Sequence, residues 1–422
     1  MCGIAGFLNP RNNDKKTEKE IYQILKKMNE VQRHRGPDDE GIFLENGCAL
    51  GHVRLSILDL YRGHQPMCKK KEGNTYAIIL NGEIYNMKTL KEQLIKEGEM
   101  FSTTSDTEVV LTGYIRYGIS YIEELNGIFS IALWDGKRKK LYLIRDRVGV
   151  KPLFYIKRGD TLIFASEIKG LFAYPGVKPV INREGLCEIF GLGPAKSYGK
   201  GVFKDIYEVL PGHFLEYDRE GLKDRAYWEL KAKKHTDSEK DTIEHTRWLV
   251  KDAVEMQMLS DIPISTFLSG GVDSSLVTAI CAKKLQKEGK NLNTFSFDFV
   301  NNHKYFKSNA FQPSEDRPWV DKMVDYAKTD HRYLECDNEN MIENLYKAVD
   351  ARDLPCMADV ESSMLYFCSK VVKYNKVTLT GECADEIFGG YPWFHKEECF
   401  KAEIFPWSMD MQPRKMLLND DI

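Results

Sequence analysis

Between Leu230 and Asp241 the chain reads LKAKKHTDSEKD, a run with hardly an apolar side chain, and the hydrophobic pattern differs in kind on its two sides. A segment that cannot bury itself serves as an exposed connector, and a change of pattern across it marks two independently built cores. The sequence therefore predicts one domain over residues 2–229, a linker over 230–241 and a second domain over 242–422. A chain of 422 residues has room for both, since domains commonly run about 100–200 residues.

Ahead of the linker, runs rich in β-formers alternate with a few amphipathic helices. Thr17 and Glu20 have the spacing of a capping box ahead of Ile21, Leu25, Met28 and Val31, and Ser105 and Glu108 repeat it ahead of a helix that ends at Gly118. Tyr76 to Leu80, Ile128 to Trp134, Leu141 to Ile144, Leu153 to Ile156 and Leu162 to Ala165 read as strands, which makes this half α+β with antiparallel sheets. Behind the linker the order changes. Helix Asp241 to Leu259, strand Ile264 to Leu268, helix Ser274 to Leu285, strand Thr294 to Phe299, helix Ser314 to Ala327 and strands at Arg332 to Glu335 and Val377 to Thr380 alternate, as a parallel sheet with crossover helices requires.

Composition narrows the class of function. Apolar residues make up 42% and charged residues 29% of the chain, which suits a folded globular protein. Lysine and arginine number 60 against 63 acidic residues, so no broad positive field exists to hold nucleic acid. The ten cysteines form no CxxC pair, which argues against zinc. The start MCGIAGFLNP lacks the basic region of a secretory signal, and no apolar run approaches the ~18 residues of a membrane span. The expectation is a cytoplasmic enzyme with reduced thiols and no nucleic-acid or membrane partner.

Ser269, Gly270, Gly271, Val272, Asp273, Ser274 and Ser275 follow the apolar strand ISTFL and open a helix. Glycines admit a ligand close to the backbone, serines add donors, and a helix N-terminus favours phosphate oxygens. The loop lacks the lysine of GxxxxGK[ST], so attack at an α-phosphate with loss of pyrophosphate becomes the plausible cut. A second loop, Thr380-Gly381-Glu382-Cys383-Ala384-Asp385, also follows a strand and is expected at the same sheet edge. Because Mg²⁺ takes one or two carboxylates plus substrate phosphates, Asp273 and Asp385 are candidate metal ligands, and Glu382 remains available as a base.

Removal of the initiator methionine would give Cys2 both a thiol and an α-amine. Such an amine titrates near ~7.7–8.0 and can take the thiol proton. The blocks CGIAGF, RHRGPDDEG, HVRLSILDL, HQPM, LNGEIYN, SDTEV and RDRVGVKPLFY occur in this order before the linker, and together they resemble the class II glutamine amidotransferase domain. With SGGVDSS, similar to the pyrophosphate loop of the ATP pyrophosphatases, and GECADEIFGGY, nearly the whole chain resembles glutamine-hydrolysing asparagine synthetase.

The resemblance implies an αββα N-terminal nucleophile domain followed by an α/β ATP pyrophosphatase-like domain. It implies that Cys2 attacks the glutamine carboxamide, that Asn81 and the Gly82 N–H hold the oxyanion, and that Arg54, Asn81, Glu83 and Asp106 bind glutamine. In the second domain it places Ser269 to Ser275 and Gly381 on ATP or pyrophosphate, Phe267 and Phe297 near the adenosine, Asp273 and Asp385 on Mg²⁺, and Glu382 beside the incoming ammonia. Glutamine, aspartate and ATP would be the substrates. Aspartate would become an acyl-adenylate, and ammonia passing between the domains would displace AMP. Cys383 stands where the family usually has glycine.

The resemblance also implies a further helical stretch beyond Ile422 that would carry most acid-recognising residues. The expectations that follow are a truncated second domain, a competent glutaminase with impaired synthetase, and an acid acceptor left open. An amidotransferase of the same architecture acting on a sugar acid or a peptide side chain is the nearest rival, a non-catalytic scaffold the more distant one, and a homodimer is left open as the assembly.

Overall fold

Strand β1 (Gly3–Leu8) starts one residue after Cys2 and is buried along its whole length, so the chain's first apolar run becomes the centre of a sheet. In the computed structural model, which describes residues 1–11, 16–308, 312–406 and 409–418, the chain forms two units. The first comprises Met1–Ile189 with Ala195–Lys234, and the second Phe190–Pro194 with His235–Ile422.

The first unit continues with helix α1 (Glu18–Glu30), strands β2 (Asp39–Glu45), β3 (Cys48–Arg54), β4 (Met67–Lys71) and β5 (Asn74–Ile84), and helices α2 (Met87–Lys96) and α3 (Asp106–Tyr117). Then follow β6 (Gly127–Asp135), β7 (Lys140–Arg145), β8 (Phe154–Arg158), β9 (Thr161–Ala165), α4 (Ile168–Phe172), α5 (Arg183–Cys187), β10 (Tyr207–Glu208), β11 (His213–Asp218) and β12 (Gly221–Ala226). The strands make two six-stranded sheets, ordered β10-β8-β9-β1-β3-β2 and β12-β11-β7-β6-β5-β4, with antiparallel pairing throughout. One core joins them: Ile4, Leu50 and Phe164 of the first sheet pack with Ile79, Trp134 and Leu143 of the second. Helices α1 and α4 cover the first sheet and α3 the second, which gives the αββα layering.

The second unit carries α6 (Glu239–Gln257), β13 (Ile264–Phe267), α7 (Val272–Lys287), β14 (Asn293–Phe299), α8 (Asn302–Tyr305), α9 (Arg317–Ala327), β15 (Asp330–Cys336), α10 (Asn338–Arg352), α11 (Ala358–Val371), β16 (Val377–Leu379) and α12 (Ala384–Phe388). Its sheet runs β15-β14-β13-β16 and is parallel. Val254 of α6, Ile264 of β13, Cys281 and Ala282 of α7, and Ala327 of α9 pack in one buried cluster of this unit.

Local signals succeed where the chain supplies its own partner. The Thr17 box forms as expected, Thr17 capping the Glu20 N–H and Glu20 reaching back to the Thr17 N–H. The Ser105 box does not. Ser105 caps the Thr107 N–H, but Glu108 turns to the Ser102 and Thr103 N–H groups and to Lys69, because a preceding loop offers it a fuller set of donors. The segment read as linker is also shorter than expected, since Ser238 caps Asp241 and α6 starts at Glu239. Helices α10 and α11 fall on residues to which the sequence pattern assigns no element. Residues 419–422 lie outside the described residues. No helix among the described residues is long and apolar enough to cross a membrane.

Candidate active site

Three segments meet at the start of β1. Gly3 pairs with Val53, so Cys2 falls beside Arg54 and Leu55 at the end of β3. The half-buried Cys2 Sγ accepts the Leu55 N–H at 3.4 Å and lies 3.7 Å from the Leu55 carbonyl, while Arg35 Nε donates to the Cys2 carbonyl at 2.9 Å. Arg35 is fixed in turn by Glu167 at 2.8 Å. Burial pushes the Cys2 thiol up, against the Leu55 N–H and the positive charges of the terminal amine and Arg54. Burial also lowers the chain's terminal amine, here on Met1, to about 6.

The second segment is the end of β5. Asn81 is fully buried, with Nδ2 3.4 Å from Ser130 Oγ and Oδ1 without a partner. A buried amide with one unsatisfied end is costly, which is the state expected of a group kept for a ligand. Gly82 follows at φ +149°, and a Cβ there would lie 2.0 Å from the Ile128 carbonyl, so both conformation and space require glycine. Burial, then the Asp106 carboxylate, pushes Glu83 up to about 7.

The third segment is the N-terminus of α3. Asp106 is buried and accepts the Ile84 N–H at 3.0 Å, which ties this helix to the end of β5. Burial raises its carboxyl. Cys2 just before β1, Arg54 on β3, Asn81, Gly82 and Glu83 on β5 and Asp106 on α3 are thus brought to one side of the sandwich, with Arg54 and Asp106 acting on Cys2 and Asp106 on Glu83. Arg54 is partly committed: one terminal nitrogen donates to the carbonyls of Leu58 and Asp59, both at 2.8 Å, and the other has only Leu60 O at 3.5 Å. Its remaining donors suit a carboxylate.

In the second unit, β13 lies between β14 and β16, and its following loop faces the loop after β16. This is the switch point of a parallel sheet, where ligands bind. Gly270 adopts φ +82°, and a Cβ there would lie 2.8 Å from Trp319 Cβ. Gly271 caps α7 with its backbone alone, and Ser274 Oγ binds Ser269 Oγ at 3.0 Å and the Ser269 N–H at 3.2 Å. The loop is therefore preshaped, with Val272 and Ser275 opening the helix. A Cβ at Gly381 would reach 2.7 Å from the Ser274 N–H nitrogen, so the two loops touch only because glycine stands there.

Burial and the nearby Asp385 carboxylate raise Asp273. Two like charges brought together at this glycine-rich loop fit a bound cation, and no cluster of three or more His, Cys, Asp or Glu suited to a metal occurs among the described residues. Phe267 meets Phe297 edge to face at 4.8 Å, and Phe297 stacks on Phe367 at 4.0 Å. Phe267 and Phe297 border a cavity of about 320 Å³ that also takes in Ser269, Asp298, Val300 and Val320. Sequence reasoning missed Asp298, Val300 and Val320. Asp298 near the end of β14 and Val300 just after it lie where the same switch-point rule points; Val320 on α9 carries no local signal. Glu382 is exposed, and its N–H lies 3.4 Å from Thr380 Oγ1.

Residues 1–228 match a glutamine amidotransferase domain model and residues 245–421 an asparagine synthase model. The chain is 46% identical over 421 residues to asparagine synthetase [glutamine-hydrolyzing] 3 of Bacillus subtilis, covering all of this chain and 68% of that protein. It is 35% identical to the putative asparagine synthetase [glutamine-hydrolyzing] 2 of Methanocaldococcus jannaschii, covering 93% and 76%. With asparagine synthetase [glutamine-hydrolyzing] 2 of B. subtilis it is 35% identical, covering 93% of this chain and 52% of the relative.

Proposed function

The chain belongs to the glutamine-hydrolysing asparagine synthetases, carbon–nitrogen ligases with glutamine as amido donor, and from that premise we propose how its own residues divide the reaction. Cys2, once exposed by loss of Met1, gives its thiol proton to its own amine and attacks the glutamine carboxamide carbon. Asn81 Nδ2 and the Gly82 N–H hold the oxyanion; a rotated Asn81 amide would let Ser130 donate to Oδ1 and aim Nδ2 at the substrate. Arg54 takes the α-carboxylate, and Asp106, with Glu83 beside it, takes the α-ammonium. The proton passes to the leaving nitrogen, ammonia departs, and water cleaves the thioester to glutamate.

In the second unit the aspartate β-carboxylate attacks the α-phosphorus of ATP, and the bond to the β-phosphate breaks. Ser269 to Ser275 and Gly381 hold the departing pyrophosphate, with the adenosine against Phe267 and Phe297. Asp273 and Asp385 would hold a magnesium ion, which supplies positive charge against the phosphates. Glu382 takes a proton from ammonia as it displaces AMP.

The observation that carries this reading is that Cys2 lies beside Arg54 and in the field of Asp106, whose carboxylate is bonded to the end of the strand that carries Asn81 and Gly82. Cys2→Ala is expected to abolish glutamate release while ammonium-dependent pyrophosphate release persists. A retained N-terminal extension should do the same by blocking the amine. Normal glutamine hydrolysis by either protein would overturn the assignment.

A further inference from the structure

The loop between β7 and β8, Arg145-Asp146-Arg147-Val148-Gly149-Val150-Lys151, is held with more bonds than a connection needs. The Asp146 carboxylate accepts the N–H groups of Phe129, Val148, Val150 and Lys151 at 3.0–3.3 Å. Arg145 donates to the carbonyls of Gly149, Lys151 and Val209 at 2.7–3.0 Å and pairs with Glu208. What this frame aims is the Lys151 side chain. Lys151 is only 7% exposed, and its ammonium has a single hydrogen-bond partner among the described residues, Met1 Sδ at 2.8 Å.

A buried ammonium whose acceptor is a thioether is poorly compensated. Burial lowers the lysine's pKa, and the Glu83 and Asp146 carboxylates act against that lowering. The charged groups that act on it are Glu83, Arg35, Asp146 and Cys2; the terminal amine feels Lys151 in turn, together with Cys2, Arg35 and Asp38. Asp146 is occupied by four backbone donors, and Glu83 is pushed up to about 7 by burial and by Asp106, so neither carboxylate fully neutralises Lys151. Loss of Met1 removes the sulfur and puts an amine on Cys2 in the field of this cation.

We propose that Lys151 is a positioning residue of the glutaminase centre: a fixed cation, held at the processed N-terminus by the Arg145–Lys151 loop, that keeps the Cys2 amine unprotonated and ready to accept the thiol proton. The proposal rests on the reading of Cys2 as nucleophile and base. A positive neighbour disfavours a second positive charge, so removing Lys151 raises the pH at which the amine becomes available. The same cation favours the thiolate and offsets the burial of the sulfur.

The test is the pH profile of glutamine kcat/KM for processed wild type, Lys151→Met, Lys151→Gln and Lys151→Arg, alongside iodoacetamide labelling of Cys2 read by peptide mass spectrometry. In Lys151→Met and Lys151→Gln the acid limb should move up by about one pH unit, the size of a single-charge effect at close range, with a parallel shift in labelling. Lys151→Arg should restore the wild-type limb. Lower activity at every pH with an unmoved limb, or a shift that arginine fails to reverse, overturns the proposal. Should the methionine variant not fold, the glutamine and arginine pair decides alone. Cys2→Ala keeps the two readings apart: if it still hydrolyses glutamine the nucleophile assignment falls, whereas an inactive Cys2→Ala with an unmoved Lys151→Met limb removes only the role of Lys151.

Discussion

His52 shows how far a single side chain departs from its ordinary chemistry in this fold. It is fully buried on β3, and its Nε2 donates to the Leu80 carbonyl of the facing sheet at 3.2 Å, one residue before Asn81. Nδ1 has no partner, so a second proton there would be a buried donor with nothing to bind. Burial therefore lowers the imidazole from 6.5 to about 3. The depressed folded value means that the unfolded chain binds the proton first. Stability from the neutral ring is complete above about pH 6.5 and is lost as pH falls towards 3, at a slope of up to ~1.4 kcal/mol per pH unit. Urea unfolding of the first unit between pH 7 and pH 4 should become less pH-dependent in His52→Gln by about one proton. Equal slopes in the two proteins would exclude His52 as the source. No sequence pattern announces this role, since a histidine in an apolar strand reads the same whether it faces water or the opposite sheet. The Cys2 centre is similar. Cys2, Arg54, Asn81 and Asp106 carry no mutual spacing, and only the resemblance to amidotransferases grouped them before the strands brought them together.

At the scale of elements, the signals legible in the sequence are those closed within a few residues. The Thr17 cap, the Gly118 stop of α3 and the strand–SGGVDSS–helix unit all form as read. Glu108 departs because its partners lie in a loop whose position no local rule fixes. The β13 and β16 loops were expected at one edge, and the parallel pairing of Ile264 with Val377 and Thr266 with Leu379 supplies the physical reason. That pairing brings Asp273 towards Asp385 at a cost in repulsion, which raises the Asp273 carboxyl. Asp273→Asn removes the repulsion and one of the two proposed cation ligands together. It should leave the second unit as stable as wild type or slightly more so, weaken magnesium-ATP binding about tenfold or more, the loss of roughly 1.4 kcal/mol, and spare glutamine hydrolysis. Calorimetric titration with magnesium-ATP beside a glutaminase assay checks all three. Equal loss of both activities with the fold intact would contradict the separation of the two chemistries.

Across the whole molecule the two units differ in how they are held together. The first is a sandwich whose two sheets share a core from Ile4 and Leu8 through Trp134 and Leu143 to Tyr217. In the second, Val254, Ile264, Cys281, Ala282, Leu292 and Ala327 form one cluster, Leu268, Phe295, Val320 and Phe367 are buried outside it, and buried apolar side chains are fewer than in the first unit among the described residues. Stabilisation follows apolar area removed from water, at about 25 cal/mol per Å², so the smaller cluster gives the weaker unit. Two cores of unequal size should unfold in two steps rather than one, the second unit first. The tryptophans can separate the steps: Trp134 is 1% exposed inside the first core, whereas Trp248 and Trp319 of the second unit are 59% and 50% exposed. The red shift that follows exposure of Trp134 should therefore accompany the later calorimetric transition. Ligand linkage gives an independent check, because a ligand that binds only the folded state raises the transition of the unit that holds it. Magnesium-ATP should raise the earlier transition by several degrees and leave the later one in place, and Asp273→Asn should blunt that rise. A single transition that both probes follow together, moving as a whole with magnesium-ATP, would mean that the two cores unfold as one cooperative body despite their separate clusters.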